Sequence, residues 1–139
     1  MKQAQTTLRV ETKGNGLLDI TRRISKWVGQ QGIEKGLLTL FIRHTSASLV
    51  VQENADPDVL SDLRDFFSMV VKEDPSLYRH SAEGPDDMPA HIKSALTQTH
   101  LSIPITNGKL ALGTWQGIYL FEHRSRPHSR TLVLHLMGA

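Results

Sequence analysis

The dipeptide Asn107-Gly108 stands between two short apolar runs, and it constrains the fold more than any other local feature of the chain. Asn-Gly between strand-like runs is the strongest short-range signal for a tight hairpin, because both turn positions need positive φ. The sequence therefore predicts strands over 102–106 and 109–112. Strands that share a two-residue turn run antiparallel.

Apolar periodicity predicts the other strands. Period-two alternation indicates a first strand, and apolar runs without helical spacing indicate the rest. The segments are Thr6–Thr12, Gly36–Ile42, Leu49–Val51, Ile118–Glu122 and Arg130–Leu136.

Helical spacing of apolar residues predicts two helices, and a capping signature predicts a third, shorter one. The first stripe starts at Leu17 and ends at Val28, with Asn15 as a possible cap. Asp56-Pro57 is a cap followed by a first-turn proline, and it opens a second helix through Val70. A third, short helix runs from Asp87 through Leu96. About seven strands and two or three helices predict a single α+β domain over residues 1–139, with mainly antiparallel sheet.

Composition excludes several classes of protein. The chain has no cysteine, so disulfides, thiolate zinc sites and cysteine nucleophiles are all excluded, and the remaining metal ligands are His, Asp and Glu. A net charge of +2 without a dense basic run disfavours nucleic-acid binding. No apolar run approaches the length of about 18 residues needed for a membrane span. With no visible signal peptide, the expectation is a cytoplasmic protein with no membrane or nucleic-acid partner.

Polar residues at the ends of apolar strands are the first candidate site. The segment Arg43–Ser46 interrupts two apolar strands, and the segment Gln52–Asn54 closes the second one. A rigid sheet can aim such side chains into a cleft. An ordinary loop with a hydrogen-bonded histidine explains the same residues.

The segment Gly84–His91 is the second candidate. Asp87 is placed to cap the following helix while Asp86 stays free, and His91 could point towards the same loop as His80. A plain capping signature is the alternative, although it does not account for His91. With seven histidines, several near carboxylates, a His and carboxylate metal site is plausible, although no local signature such as His-Glu-x-x-His is present.

The third candidate lies around Trp115-Gln116, which is bracketed by glycines. Glycine in a strand pattern marks a bulge or a close backbone approach to a ligand, and a bulged corner with a core tryptophan is the alternative. Alternation along the following strand sends Glu122 and Arg124 to one face. They either pair on the surface or belong to a site.

Taken together, these motifs resemble the YjbQ-type family over essentially the whole chain. The resemblance rests on His44–Ser48 with Gln52–Asn54, on Asp86–Lys93, and on Leu112–Leu120 with Glu122–Arg124. Members of that family have been described as having secondary thiamine-phosphate synthase activity. The resemblance implies a compact α+β domain that assembles as a homotrimer, with a site near subunit boundaries.

The implied reaction joins hydroxymethylpyrimidine diphosphate to a thiazole phosphate and releases pyrophosphate. It calls for a divalent ion, zinc or magnesium, and for cations that neutralise the leaving group. The roles expected on this basis are as follows: catalytic, His44, Glu122 and Arg124; binding of the small phosphorylated substrate, Thr45, Ser46, Asn54, Lys93, Trp115, Gln116 and Arg130; metal ligation, His44, His80, Asp86 and His91.

Two rival functions fit the same residues. One is a non-catalytic trimer that binds a metal or a small anion. The other is a metal-dependent hydrolase, in which a bound water attacks a phosphate or an ester.

Overall fold

The computed structural model describes residues 1–139, which form eight β-strands and three α-helices. The strands are β1 (Lys2–Glu11), β2 (Gly16–Asp19), β3 (Lys35–Ile42), β4 (Ala47–Glu53), β5 (His100–Thr106), β6 (Lys109–Leu110), β7 (Gln116–Glu122) and β8 (Ser129–Gly138). The helices are α1 (Thr21–Gly29), α2 (Pro57–Val70) and α3 (Asp87–Leu96), with a short 3₁₀ turn at Pro75–Leu77. No helix combines the length and the apolar character needed to cross a bilayer.

Two antiparallel sheets enclose one hydrophobic core. The larger sheet has the order β1-β8-β3-β5-β6 and the smaller has the order β2-β7-β4. Apolar side chains from both sheets and from α1 form a single cluster of 17 buried residues. The predicted α+β class with mainly antiparallel sheet is confirmed.

The hairpin at Asn107-Gly108 forms as predicted. Both residues have positive φ, at 51° and 74°, and Thr106 pairs with Lys109 across the turn. The second strand of the hairpin ends at Leu110 rather than at residue 112.

The helix predicted from Leu17 begins later than expected. Residues Gly16–Asp19 form β2, in which Leu17 and Leu18 pair with Phe121 and Leu120 of β7. The helical stripe becomes helix only from Thr21, and Asn15 is not its cap. Apolar spacing alone did not distinguish these residues from helix, because their ladder partners on β7 are about 100 residues away.

The second helix begins where the Asp56-Pro57 capping signature predicts. The Asp56 carboxylate accepts a hydrogen bond from Asp58 N at 2.9 Å, and Pro57 is the first helical residue. No residue of α2 is fully buried, and Phe66 and Met69 are exposed.

One end of the smaller sheet brings three segments together. The chain crosses from β3 in the larger sheet to β4 in the smaller one at residues 43–46. Ala47 at the start of β4 pairs with Glu122 at the end of β7. Ser94 Oγ of α3 donates a hydrogen bond to Ala47 O at 3.0 Å, which anchors the helix beside this end.

Candidate metal centre

His80, Asp87 and His91 form a compact group of possible metal ligands. One ligand atom from each residue lies within 4.8 Å of the other two. Asp87 Oδ2 lies 2.6 Å from His80 Nε2 and 3.3 Å from His91 Nε2. Two imidazole nitrogens and one carboxylate oxygen thus converge on one point.

Helix geometry and the preceding loop produce this arrangement. Asp87 and His91 are four residues apart on α3, so their side chains lie on the same face, one turn apart. His80 comes from the predicted loop Lys72–Gly84, and its ring centroid lies 5.5 Å from that of His91. This agrees with the expectation that the two histidines face each other.

A backbone carbonyl fixes the orientation of the His91 ring. His91 Nδ1 lies 2.9 Å from Thr45 O, and since a carbonyl oxygen only accepts, Nδ1 must be the donor. Nε2 then faces Asp87, and in the neutral ring its lone pair is available to a cation. Histidine ligands in metal sites commonly have their other ring nitrogen held in this way.

Arg124 holds the Asp87 carboxylate from the opposite side. Arg124 Nη1 lies 2.9 Å from Asp87 Oδ1, which leaves Oδ2 directed at the two histidines. Burial opposes ionisation of Asp87, but the hydrogen bond from His80 and the charges of His91 and Arg124 outweigh it, so the pKa is lowered. The buried Asp87 side chain is therefore a carboxylate.

Asp86 occupies a different position from the one expected of a ligand. Its Oδ2 accepts hydrogen bonds from Arg124 Nε at 2.9 Å and from Ser125 N at 3.0 Å. Burial raises the pKa of Asp86, but these hydrogen bonds outweigh burial and bring it to about 2. Neither Asp86 nor Asp87 caps α3 through its side chain. Asp86 orients Arg124, and Asp87 is the carboxylate that joins the two histidines.

The surface pair between Glu122 and Arg124, one of the two alternatives, does not form between their side chains. The buried Glu122 carboxylate pairs with Arg130 and accepts a hydrogen bond from Thr12 Oγ1 at 2.7 Å. Burial raises the pKa of Glu122, but the hydrogen bonds from Arg130 and Thr12 lower it by more. β7 ends at Glu122, so its alternation does not extend to Arg124.

His44 lies next to the metal-ligand group without belonging to it. Its Nε2 accepts a hydrogen bond from Thr131 N at 2.8 Å. Burial and the nearby Arg130 charge lower its pKa. His44 and His91 instead line the same cleft of about 290 Å³, together with Thr45, Ser94, Ala95 and Thr99.

A second, more polar cavity of about 660 Å³ lies on the Arg124 side. Its lining carries groups of both charges. Its polar lining consists of Glu73, Glu83, Asp86, Arg124, Ser125, Arg126 and His128.

Three of the expected binding residues lie at the far end of the smaller sheet. Asn54 Nδ2 bridges Thr114 O and Gln116 O, each at 3.3 Å, and Trp115 is 65% exposed rather than part of the core. This end is separated from the metal-ligand group by the length of β7, about 20 Å.

Of the other expected binding residues, Ser46, Lys93 and Arg130 are buried, whereas Thr45 is exposed. Ser46 O accepts a hydrogen bond from Arg130 Nη2 at 3.2 Å. Lys93 is 2% exposed, and burial lowers its pKa.

Sequence reasoning did not select Asp87 as a candidate metal ligand, although its four-residue spacing from His91 was a usable signal. It also missed Glu83, for which no local signal exists.

Comparison with known proteins identifies the family. Residues 6–139 match the family model described as UPF0047 protein YjbQ-like. The chain is 56% identical over 137 residues to the UPF0047 protein sll1880 of Synechocystis, covering 99% of this chain and 93% of that protein. It is 44% identical over 135 residues to YjbQ of Salmonella typhimurium, covering 96% and 97% of the two chains.

Solved structures show the same fold. The conserved hypothetical protein TT1486 of Thermus thermophilus superposes with a TM-score of 0.84 at 35% identity, over 95% of this chain and 99% of that one. A YjbQ/UPF0047 protein of Clostridium acetobutylicum superposes with a TM-score of 0.83 at 34% identity, over 96% and 99%. The chain therefore belongs to the YjbQ family of UPF0047 proteins.

Proposed function

We propose that this protein binds a divalent metal ion through His80, Asp87 and His91 and acts there on a small phosphorylated molecule. The observation that carries the proposal is the convergence of three ligand atoms within 4.8 Å, with the His91 ring held through its other nitrogen by Thr45 O. Asp87 is buried, and a buried carboxylate needs compensating charge. Arg124 supplies part of it through Oδ1, and a cation at Oδ2 would supply more.

Zinc suits this ligand set better than magnesium. Two imidazoles and one carboxylate are a common set of protein ligands in catalytic zinc sites, whereas magnesium prefers an octahedron of oxygens. Bound there, the ion would polarise a phosphate oxygen and neutralise charge on a leaving group. His80 is half-exposed, so one side of the group is open to solvent.

The polar cavity next to the triad is the proposed phosphate site. Arg126 and His128 line it and are not paired with a carboxylate. Arg124 also lines it, but its guanidinium already binds Asp86, Asp87 and the backbone oxygen of Glu83. Arg124 therefore acts as a positioning residue, and Arg126 is the cation available to a phosphate, with His128 beside it.

The specific reaction proposed is thiamine-phosphate synthesis, in keeping with the family resemblance. A bond forms between the thiazole nitrogen and the pyrimidine methylene carbon, and the carbon–oxygen bond to the diphosphate breaks with pyrophosphate taking the electron pair. The cleft between His44 and His91 is of a size to hold one heterocyclic ring. The cavity at Arg126 would hold the diphosphate.

Turnover of the two precursors tests this function. The purified protein, loaded in turn with zinc, manganese or magnesium, should form thiamine phosphate and pyrophosphate together. His91→Ala should reduce the rate at least tenfold, whereas the exposed control His100→Gln should leave it unchanged. Equal rates for wild type and His91→Ala would contradict the proposal, and phosphate release from generic phosphoesters without coupling would favour a hydrolase instead.

We also propose that the protein is a homotrimer. Leu37, Phe41 and Met137 are exposed on the same outer face of the larger sheet, where Leu37 pairs with Met137 across the strands. A second copy that covers this face would remove an apolar patch from water. Light scattering should give three times the 15.6 kDa mass of one chain, and a monomer at micromolar concentration would contradict it.

A further inference from the structure

Glu83 lies at the edge of the metal-ligand group with no role assigned so far. Its Oε2 is 3.4 Å from His80 Nε2, and its side chain is 64% exposed. It is close enough to Asp87 to influence the pKa of that carboxyl. Glu83 is not one of the three residues whose ligand atoms all lie within 4.8 Å of one another, so its carboxylate borders that group.

Two of these contacts have the separation of neighbouring ligands of tetrahedral zinc. With zinc–nitrogen and zinc–oxygen bonds of 2.0–2.1 Å, two ligand atoms at the tetrahedral angle lie roughly 3.3–3.4 Å apart. Asp87 Oδ2 to His91 Nε2 is 3.3 Å, and Glu83 Oε2 to His80 Nε2 is 3.4 Å. The shorter contact of 2.6 Å between His80 and Asp87 is a hydrogen bond, whose proton a metal would replace.

The backbone around Glu83 is fixed, although its carboxylate is free to move. Arg124 Nη2 donates a hydrogen bond to Glu83 O at 3.0 Å. Gly84 follows with φ of +104°, a conformation that side-chain-bearing residues rarely adopt. A Cβ there would also lie 3.1 Å from Asp86 Oδ1. The carboxylate is thus tethered beside the group but can rotate towards or away from it.

We propose that Glu83 is a displaceable fourth ligand, which closes the metal site at rest and is replaced by a phosphate oxygen of the substrate. The inference rests on the proposed metal site and adds how that site opens. Glu83 also lines the polar cavity, so a phosphate entering there meets this carboxylate first. Like charge between the phosphate and the carboxylate favours exchange over simultaneous binding. The site should therefore select phosphate or diphosphate oxygens over neutral ligands, because a neutral ligand would not repel the Glu83 carboxylate from the metal.

Cobalt substitution tests the inference without any enzymatic assay. Cobalt(II) in a four-coordinate site absorbs visible light far more strongly than in a five- or six-coordinate one. The wild-type protein should show the intense spectrum of a four-coordinate ion. In Glu83→Ala, water takes the place of the carboxylate, so the visible bands should shift and cobalt binding should be at least tenfold weaker. Glu34→Gln, which removes an exposed carboxylate elsewhere, serves as the matched control and should resemble wild type.

Inorganic pyrophosphate tests the displacement. Added to the wild-type cobalt protein, it should shift the visible bands while they keep their four-coordinate intensity, because one phosphate oxygen replaces the carboxylate. It should bind Glu83→Ala more tightly because no carboxylate must leave. An unchanged wild-type spectrum, or equal cobalt affinity and spectrum for wild type and Glu83→Ala, would overturn the role of Glu83. The variant His91→Ala tests the metal site itself, independently of the role of Glu83. If it binds cobalt as well as wild type does, the proposed metal site itself fails.

Discussion

Acidification should destabilise the protein through His123, which is almost completely buried at the end of the smaller sheet. His123 Nε2 is hydrogen-bonded to Ser48 Oγ at 2.8 Å, and its Nδ1 is buried with no partner. Its ring lies against Phe121, with centroids 4.3 Å apart. Protonation would place a charge in this setting without an acceptor at Nδ1.

The magnitude follows from the shift in pKa. Burial, reinforced by the charges of Lys93 and Arg130, lowers the pKa of His123 from 6.5 to about 3. The unfolded chain binds a proton at His123 near pH 6.5, and the folded chain does not. The stability of the fold with a neutral His123 is therefore fully present above pH 6.5. It is lost as the pH falls from 6.5 towards 3, by about 1.4 kcal/mol per pH unit. Between pH 7.5 and pH 5, His123 should therefore lower the free energy of unfolding by about 2 kcal/mol.

Urea denaturation of wild type and His123→Gln at the two pH values isolates this contribution. The other titrating groups are common to both proteins, so the difference in unfolding free energy between them should change by about 2 kcal/mol. The exposed His100→Gln variant is the matched control and should show no such change. All samples need equal protein concentration, because association would shift the midpoint.

If the difference in unfolding free energy between wild type and His123→Gln does not depend on pH, His123 does not destabilise the folded protein on acidification. A change of less than about 0.5 kcal/mol, with unaltered m-values, would mean that His123 gains a partner or solvent in solution.

The remaining predictions concern three other side chains. Glu122→Gln leaves Arg130 buried without its carboxylate, so urea unfolding should show a loss of about 3–5 kcal/mol in stability. Arg124→Gln removes the group that orients Asp87, and competition titration should show zinc affinity about 10- to 100-fold weaker. Trp115→Ala, at the far end of the sheet, should leave zinc affinity unchanged and stability within about 0.5 kcal/mol of wild type.

The fold was predictable where local chemistry determines backbone geometry. Asn107-Gly108 requires a tight hairpin, and Asp56-Pro57 caps and starts α2, so both were found from the sequence. The segment around Leu17 was not, since its role as a strand depends on β7.

The site was predictable in part for the same reason. His80 and His91 were identified as candidates, and the structure places them together. The sequence analysis named Asp86 as a metal ligand, whereas Asp87 is the carboxylate that faces the histidines. The two residues are adjacent at the start of α3, and the direction of each side chain depends on where the helix begins. Strand alternation could not predict that Glu122 pairs with Arg130. Arg130 lies on the next strand, eight residues away.

The most direct test of the metal centre is an anomalous difference map from crystals grown with zinc and measured at the zinc absorption edge. If zinc binds at the proposed centre, one strong peak should lie within about 2.0–2.2 Å of His80 Nε2, Asp87 Oδ2 and His91 Nε2. The peak should be lost in His91→Ala crystals. A zinc peak elsewhere in the molecule, or no peak at these three residues, would contradict it.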